Sequence, residues 1–78
     1  MPSPAWLDWV LAERQRQDTK WGQQDHNDLY WLGILMEEVG ELSKAIIEGN
    51  NPARNKELVE AMAVCAAWLE CIERNADA

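Results

Sequence analysis

Two acidic clusters lie on either side of one short turn in this sequence. Residues 37–41 read EEVGE, residues 57–60 read ELVE, and residues 49–52 between them read GNNP. If both flanking segments are helices, the turn brings four or five carboxylates to nearly the same height. Only protons or a hard cation stabilise so many like charges in one place. The pattern therefore predicts a metal site.

The beginning of the chain predicts one helix followed by a loop. Ser3 and Pro4 read as the N-cap and the first helical position, and apolar residues then recur at helical spacing to about Gln17. The polar stretch that follows contains the only histidine of the chain. We expect it to be a loop that ends in a cap at Asn27 or Asp28.

Two longer helices are predicted around the turn. The second should run from about residue 29 to residue 48 and end at Gly49, and the third should run from Pro52, capped by Asn51, to near residue 74. No segment alternates with a period of two, so no strand is expected. The predicted fold class is all-α. It is a single helical domain over residues 1–78, in which the last two helices form a long antiparallel hairpin.

The glutamates of the two clusters lie on the helix faces that should be buried. Glu38 and Glu41 continue an apolar stripe on the second helix, and Glu57 and Glu60 continue one on the third. When the hairpin is folded about residue 50, the two pairs differ in height by roughly 3 Å. Mg²⁺ or Mn²⁺ would satisfy several of these oxygens at once, so all four residues are predicted metal ligands. The alternative is a solvated acidic face on helices that are turned differently.

Composition narrows the class of protein. The 78 residues can build only a small core, so a partner subunit is expected. A net charge of −7 argues against binding to a nucleic acid polymer. Neither a signal peptide nor a membrane span is expected. Cys65 and Cys71 are six positions apart on one helix and cannot bridge each other, so they are expected to be free, buried thiols of a cytoplasmic protein.

The paired acidic motifs resemble those of the MazG-like, all-α nucleoside triphosphate pyrophosphatases. That family has Glu-Glu-x-x-Glu and, after a spacer, Glu-x-x-Asp; in this chain Glu60 stands at the position of the Asp. Residues 13–22, ERQRQDTKWG, are also similar to the N-terminal part of small bacterial and phage members. The resemblance covers about residues 10–72.

The resemblance implies Mg²⁺-dependent hydrolysis of nucleoside or deoxynucleoside triphosphates to monophosphate and pyrophosphate, with Mn²⁺ as a possible substitute. It implies that Glu38, Glu41, Glu57 and Glu60 face the metal, and that Glu37 is a further ligand or the base that activates water. Glu38 is the other candidate for that base. The resemblance also implies a homodimer or homotetramer in which helical hairpins pack into bundles.

Several residues are predicted to contact the substrate. Lys20, Lys56 or Arg54 would stabilise the leaving pyrophosphate, although a solvated surface charge is the more common role for a residue of this kind. Trp21 and Trp31 would stack on the base, with His26 as a nearby polar contact; the other candidate roles are packing and capping. The predicted substrate-binding residues are therefore Lys20, Trp21, His26, Trp31 and Lys56.

Two other classes of protein remain open. The first is a non-catalytic protein on the same fold that binds nucleotide or metal, such as a phage or mobile-element accessory protein. The second is a structural module for helical oligomerisation, for which divalent cations would leave the melting temperature unchanged. A membrane-surface helix built on Trp6 and Trp9 is disfavoured by the acidic balance of the chain.

Overall fold

The computed structural model describes residues 4–76 as three α-helices. Helix α1 spans Ala5–Trp21, α2 spans Asp28–Ile47 and α3 spans Asn51–Arg74. No strand occurs among these residues, which confirms the all-α prediction. Helix α3 is the central element, because both α1 and α2 pack against it.

None of the helices in residues 4–76 combines the length and the apolar character that a bilayer crossing requires.

Helix α1 is longer than predicted. It continues four residues past Gln17 to Trp21, so the prediction of a loop from Asp18 was wrong. Arg14 bridges one turn to Asp18 at 3.0 Å, which supports this extra turn. The helix ends where Gly22 takes a φ of 72°, and the Gly22 N–H donates to the Asp18 carbonyl at 2.8 Å. Pro4 precedes the helix and is not its first residue, and the predicted cap Ser3 lies outside the described residues.

Asparagine side chains set the starts of the other two helices. The Asn27 side-chain oxygen accepts from the Tyr30 N–H at 2.9 Å, as predicted for the start of α2. For α3 the cap is Asn50, whose side-chain oxygen accepts from the Ala53 N–H at 3.1 Å. The prediction of Asn51 as the cap was wrong by one position, because Asn51 is already the first helical residue.

The turn between α2 and α3 is short because one residue serves both helices. Gly49 has a φ of 67°, and its N–H donates to the Ile46 carbonyl at 3.1 Å. The Asn50 N–H donates to the Ala45 carbonyl at 2.9 Å, which completes a Schellman-type ending for α2. Asn50 therefore closes α2 with its backbone and begins α3 with its side chain.

The core lies between α2 and α3. Trp31 is 2% exposed and packs with Val64 and Cys71, and its ring stacks on Trp68 with centroids 6.5 Å apart. The Trp68 indole N–H donates to the Asp28 carboxylate at 3.0 Å. Early residues of α2 thus meet late residues of α3, and the contacts fall in reverse order along the two helices.

Both cysteines are free, as expected, but only one of them is buried. Cys71 belongs to the core, whereas Cys65 is exposed, so the expectation of a buried Cys65 was wrong. The reason is angular: six positions on a helix correspond to about 600° of rotation, or about 120° net, which turns Cys65 away from α2.

Helix α1 packs on a different face of α3. Val10 of α1 and Ala63 of α3 are buried, and Arg14 donates two hydrogen bonds to the Glu70 carboxylate, the shorter at 2.7 Å. These hydrogen bonds raise the pKa of Arg14 and lower that of Glu70. The α1 helix is thereby positioned beside α3, with a space left between it and α2.

Replacing Asn50 by Ala should lower the free energy of unfolding by about 1 kcal/mol, because the Ala53 N–H loses its cap. Asn51→Ala is the matched control and should change stability by less than about 0.5 kcal/mol, since Asn51 has no capping role. Urea unfolding of both variants at one protein concentration measures the difference. Equal losses would contradict the assignment of the cap.

Candidate metal centre

Three carboxylates from two helices meet between α2 and α3. Glu38 comes from α2, Glu57 and Glu60 come from α3, and one oxygen of each lies within 4.8 Å of the other two. Glu57 and Glu60 are three residues apart, so they lie on the same face of α3. All three side chains are half-buried. We refer to Glu38, Glu57 and Glu60 as the carboxylate cluster.

The carboxylate cluster is poorly compensated by the rest of the chain. Glu38 Oε2 and Glu57 Oε2 are buried, and no donor outside the cluster reaches them among residues 4–76. Lys56 approaches Glu60 Oε1 at 3.8 Å, a long and exposed ion pair of little worth. Within residues 4–76, Glu38 and Glu57 form no ion pair. Such unpartnered oxygens are costly to bury, and they are the hard donors that Mg²⁺ and Mn²⁺ prefer. The residues present therefore fit a divalent cation.

Without a cation, a proton relieves the repulsion in the cluster. Burial raises the pKa of Glu38 to about 8, and hydrogen bonds with Glu60 and Glu57, together with their charges, act in the same direction. Burial also raises the pKa of Glu57, while its hydrogen bond with Glu38 opposes this change. The proton thus resides on Glu38 at neutral pH. A cation has to displace it, so metal affinity should increase with pH.

Glu41, the fourth predicted ligand, lies outside the cluster. Its side chain is exposed, although its charge still acts on Glu57. Positions three apart differ by about 60° around a helix, so Glu38 and Glu41 cannot both point directly at α3. Of the two residues, Glu38 is the one that points at α3. Glu37, predicted as a base or further ligand, is also exposed and outside the cluster.

A cavity of about 700 Å³ adjoins the carboxylate cluster, between α1 and the other two helices. Glu38 and Glu60 form part of its wall. Basic and aromatic side chains form much of the remainder, namely Arg14, Arg16, Lys20, Arg74, Trp21, Tyr30 and Trp31. Carboxylates, cations and aromatic rings therefore line one space of the size that ligand sites have.

Two of the predicted substrate contacts line this cavity from the last turn of α1. Lys20 and Trp21 are exposed, and the Lys20 ammonium lies 4.7 Å from the centre of the Trp21 ring. They were predicted in a loop and are instead helical. Their positions on a regular helix place both at the same edge of the cavity.

The other predicted substrate contacts have structural partners. His26 stacks on Tyr30 with ring centroids 4.1 Å apart, and its Nε2 lies 3.0 Å from the Gln24 side-chain oxygen. Trp31 is a core residue with little free surface, so we assign it no stacking on a base. Lys56 and Arg54 are at the start of α3, where Lys56 pairs with Glu60. Arg54 donates to the neighbouring Asn55.

Sequence reasoning missed the contribution of α1. Arg16 binds Glu13 through two hydrogen bonds of 2.6 and 2.7 Å. These bonds raise the pKa of Arg16, with smaller contributions from the charges of Glu60 and Glu38. One feature of the sequence indicated this contribution. Glu13, Arg14 and Gln17 follow the apolar Val10 at helical spacing, so they lie on the same face of α1. Polar residues on such a stripe indicate a partly buried polar site.

Comparisons with known proteins find no match to this chain, whether among protein-family models, curated proteins or solved structures. The likeness to the MazG-like family therefore depends on the acidic motifs themselves. The carboxylate cluster and the cavity beside it are the features of the structure that bear on function.

The metal-free protein should lose stability as the pH rises from about 5 to about 8. In this window folded Glu38 holds a proton that unfolded Glu38, with a pKa near its ordinary 4.5, has released. The melting temperature in EDTA should therefore fall across the window and level off above it. Glu38→Gln should flatten the curve, because glutamine has no proton to release.

Glu41→Gln is the control for this measurement. It removes the same formal charge from α2, but at an exposed position outside the cluster, so the decrease in melting temperature should persist. A wild-type melting temperature that is constant from pH 5 to pH 8 would contradict the protonation of Glu38.

Proposed function

We propose that this chain binds Mg²⁺ at Glu38, Glu57 and Glu60 and hydrolyses a nucleoside triphosphate to the monophosphate and pyrophosphate. The observation that carries the proposal is the convergence of three carboxylates with two buried, unpartnered oxygens at the wall of a cavity. Basic side chains on the same cavity offer partners for phosphate oxygens. The resemblance of the paired acidic motifs to the MazG-like family supports the same reaction.

The carboxylate cluster would hold the cation and leave coordination positions free for the substrate. Three oxygen ligands are fewer than the six that Mg²⁺ takes, and phosphate oxygens and water commonly fill the remainder. Bound there, Mg²⁺ would supply the positive charge that offsets the triphosphate and the charge developing on the leaving pyrophosphate.

Residues of α1 would orient the substrate opposite the cluster. Arg16 is 54% exposed, and it binds the Glu13 carboxylate, which is 12% exposed, through two of its five N–H donors. The remaining donors can bind a phosphate while this ion pair is kept. Lys20 offers a second cation on the same side. Trp21 presents an exposed indole at the edge of the cavity, where a nucleobase can stack.

In the proposed reaction water attacks the α-phosphorus, the bond to the bridging oxygen breaks, and pyrophosphate departs. The proton of the attacking water passes to a carboxylate. Glu37 and Glu38 are the two candidates for that role. Glu38 lies on the cavity wall, whereas Glu37 is adjacent and exposed.

Binding of metal or nucleotide without turnover is the second candidate function. It is favoured by one observation, namely that only three of the four predicted ligands converge while Glu41 is exposed. A shell with fewer carboxylates retains a cation less strongly and offers less support for several metal ions. The same cavity could then serve a regulatory binding protein.

Mg²⁺ or Mn²⁺ should raise the melting temperature, because a ligand of the folded state stabilises it, by about 2.7 kcal/mol at a hundredfold excess over the dissociation constant. The increase should be greater at pH 8 than at pH 6, since the proton on Glu38 competes with the cation. Glu57→Gln or Glu60→Gln should abolish the increase, and Glu41→Gln should retain most of it. Thermal melts across a metal titration measure this, and an unresponsive wild type would contradict the metal site.

Purified protein with Mg²⁺ should convert at least one member of a panel of nucleoside and deoxynucleoside triphosphates to monophosphate and pyrophosphate. Glu57→Gln and Glu60→Gln should lower kcat by at least about 100-fold, through loss of charge stabilisation at the phosphates. Arg16→Ala should mainly raise KM. Separation of the nucleotide products and a pyrophosphate assay provide the measurement.

Glu41→Gln is the matched control for the kinetic series, and its kcat should stay within a few-fold of that of the wild type. Release of orthophosphate alone would contradict the proposed reaction. Calorimetric binding of a non-hydrolysable triphosphate without any turnover would favour the second candidate function.

A further inference from the structure

A second cavity, of about 600 Å³, lies between the middle of α1 and the first half of α3. Its volume is within the range of roughly 300 to 1,000 Å³ that small-molecule sites have. Helix α1 lines it with one face, on which Trp9, Glu13 and Arg16 follow each other at spacings of four and three residues. We refer to this cavity as the α1–α3 groove.

The α1–α3 groove is distinct from the cavity beside the carboxylate cluster. Of the residues that line the groove, Glu13, Arg16 and Glu60 also line the larger cavity. Trp9 and Lys56 line the groove and not the larger cavity. Binding in the groove can therefore be tested at positions that do not touch the space beside the cluster.

The charged side chains of the groove are arranged with the cations outermost. The Arg16 and Lys56 side chains are 54% and 71% exposed, whereas those of Glu13 and Glu60 are 12% and 19% exposed. The four formal charges cancel, but a ligand that enters the groove meets the guanidinium and ammonium groups first. The groove therefore favours a ligand with negative charge.

The polar groups that the groove offers to a ligand are hydrogen-bond donors. The two bonds from Arg16 to Glu13 leave three of the five Arg16 N–H donors. The Lys56 ammonium is 3.8 Å from the carboxylate with which it pairs, too far for a hydrogen bond. Asn55 accepts twice from Arg54 through its side-chain oxygen, so its amide N–H₂ group is what it offers to a ligand. The three terminal oxygens of a phosphate match these three donor groups.

Trp9 gives the groove an aromatic surface. It is 54% exposed and lies four residues from Glu13, or about 6 Å along α1. Since the Arg16 guanidinium is held at the Glu13 carboxylate, its charge is about one helical turn from the indole. The half-buried Val59 adds apolar surface from α3. This spacing suits a planar ring that stacks on Trp9 and carries an anionic group on a short linker.

We propose that the α1–α3 groove binds a small molecule in which a planar ring carries a phosphate monoester, as in a nucleoside monophosphate or an aryl phosphate. The ring stacks on Trp9, and the phosphate oxygens accept from Arg16, Lys56 and Asn55. One phosphate suits the groove better than three, because the recessed carboxylates repel further negative charge. Neither a metal ion nor hydrolysis takes part, so this binding goes beyond the proposed function and does not depend on it.

NMR titration of the full chain, labelled with ¹⁵N in its tryptophan indoles, tests the proposal site by site. The signals of Trp6, Trp9 and Trp21 are assigned from Trp→Phe variants, all three at exposed positions. In EDTA at neutral pH, adenosine monophosphate or phenyl phosphate should shift the Trp9 signal saturably and leave the Trp6 signal unchanged. The compound that shifts Trp9 identifies which of the two kinds of ring phosphate is bound.

Two incomplete ligands measure the contribution of each half. Adenosine lacks the phosphate and inorganic phosphate lacks the ring. Each should therefore show a dissociation constant at least about 10-fold higher at Trp9, which corresponds to the loss of one good contact. Equal binding of either compound would overturn the proposal, since the groove would then recognise only a ring or only an anion.

Lys56→Met should raise the dissociation constant measured at Trp9 at least about 10-fold, because it removes a charged donor from the groove. Lys44→Met is the matched control. Lys44 is an exposed lysine of α2 that lines neither cavity, so its loss should change the dissociation constant by less than about twofold. Helix content by circular dichroism checks that both variants are folded.

Three further results would each overturn the proposal. The first is an unshifted Trp9 signal at about 10 mM of both ring phosphates, a concentration at which even weak binding is seen. The second is a shift of Trp21 alone, which would place the ligand in the larger cavity. The third is an unchanged dissociation constant in Lys56→Met or an equal loss in Lys44→Met. Because EDTA removes divalent cations, none of these results depends on whether triphosphates are hydrolysed.

Discussion

Repulsion among Glu38, Glu57 and Glu60 is the constraint around which the rest of this structure is arranged. Three carboxylates meet in a half-buried position, and among residues 4–76 the cluster forms one ion pair, the long contact of Glu60 with Lys56. The α2–α3 packing has to hold them there against their own charge. Stacking of Trp31 on Trp68, hydrogen bonding of Trp68 to Asp28, and the short turn at Asn50 do so from both ends of the helix pair. A site that strains its own scaffold in this way is typical of a ligand position.

The packing of the helices gives the molecule surfaces of two different chemical kinds. On the side of α1, cations and an exposed indole line a cavity beside the carboxylates. On other faces, α2 and α3 expose large apolar side chains, among them Met36 and Leu69. Helix α3 contributes to both kinds of surface, because it supplies two of the three carboxylates and several of the exposed apolar side chains.

Helical periodicity was enough to predict the three helices and the meeting of Glu38 with Glu57 and Glu60. Periodicity was less informative about contacts that depend on the exact direction of a side chain around its helix or on how the helices pack. Glu41 shares the predicted stripe with Glu38 but is rotated by about 60° from it, a difference that spacing alone does not resolve. Asn50 and Asn51 are equally good caps in sequence, and only the backbone at Gly49 selects Asn50. The cavity depends on where α1 docks, which a single sequence does not encode in any local pattern.

Because Asn50 both closes α2 and begins α3, the connection between these helices cannot change in length without loss of one of the two contacts. The end of one helix and the beginning of the next are fixed by the same residue, so the length of this turn and the phase of α3 relative to α2 are coupled. Insertion or deletion of one residue here would rotate Glu57 and Glu60 by about 100° around the α3 axis. It would also displace them by about 1.5 Å along the axis relative to Glu38. Natural variation in length is therefore expected to accumulate between α1 and α2, and this turn should be among the parts of the chain least tolerant of insertion.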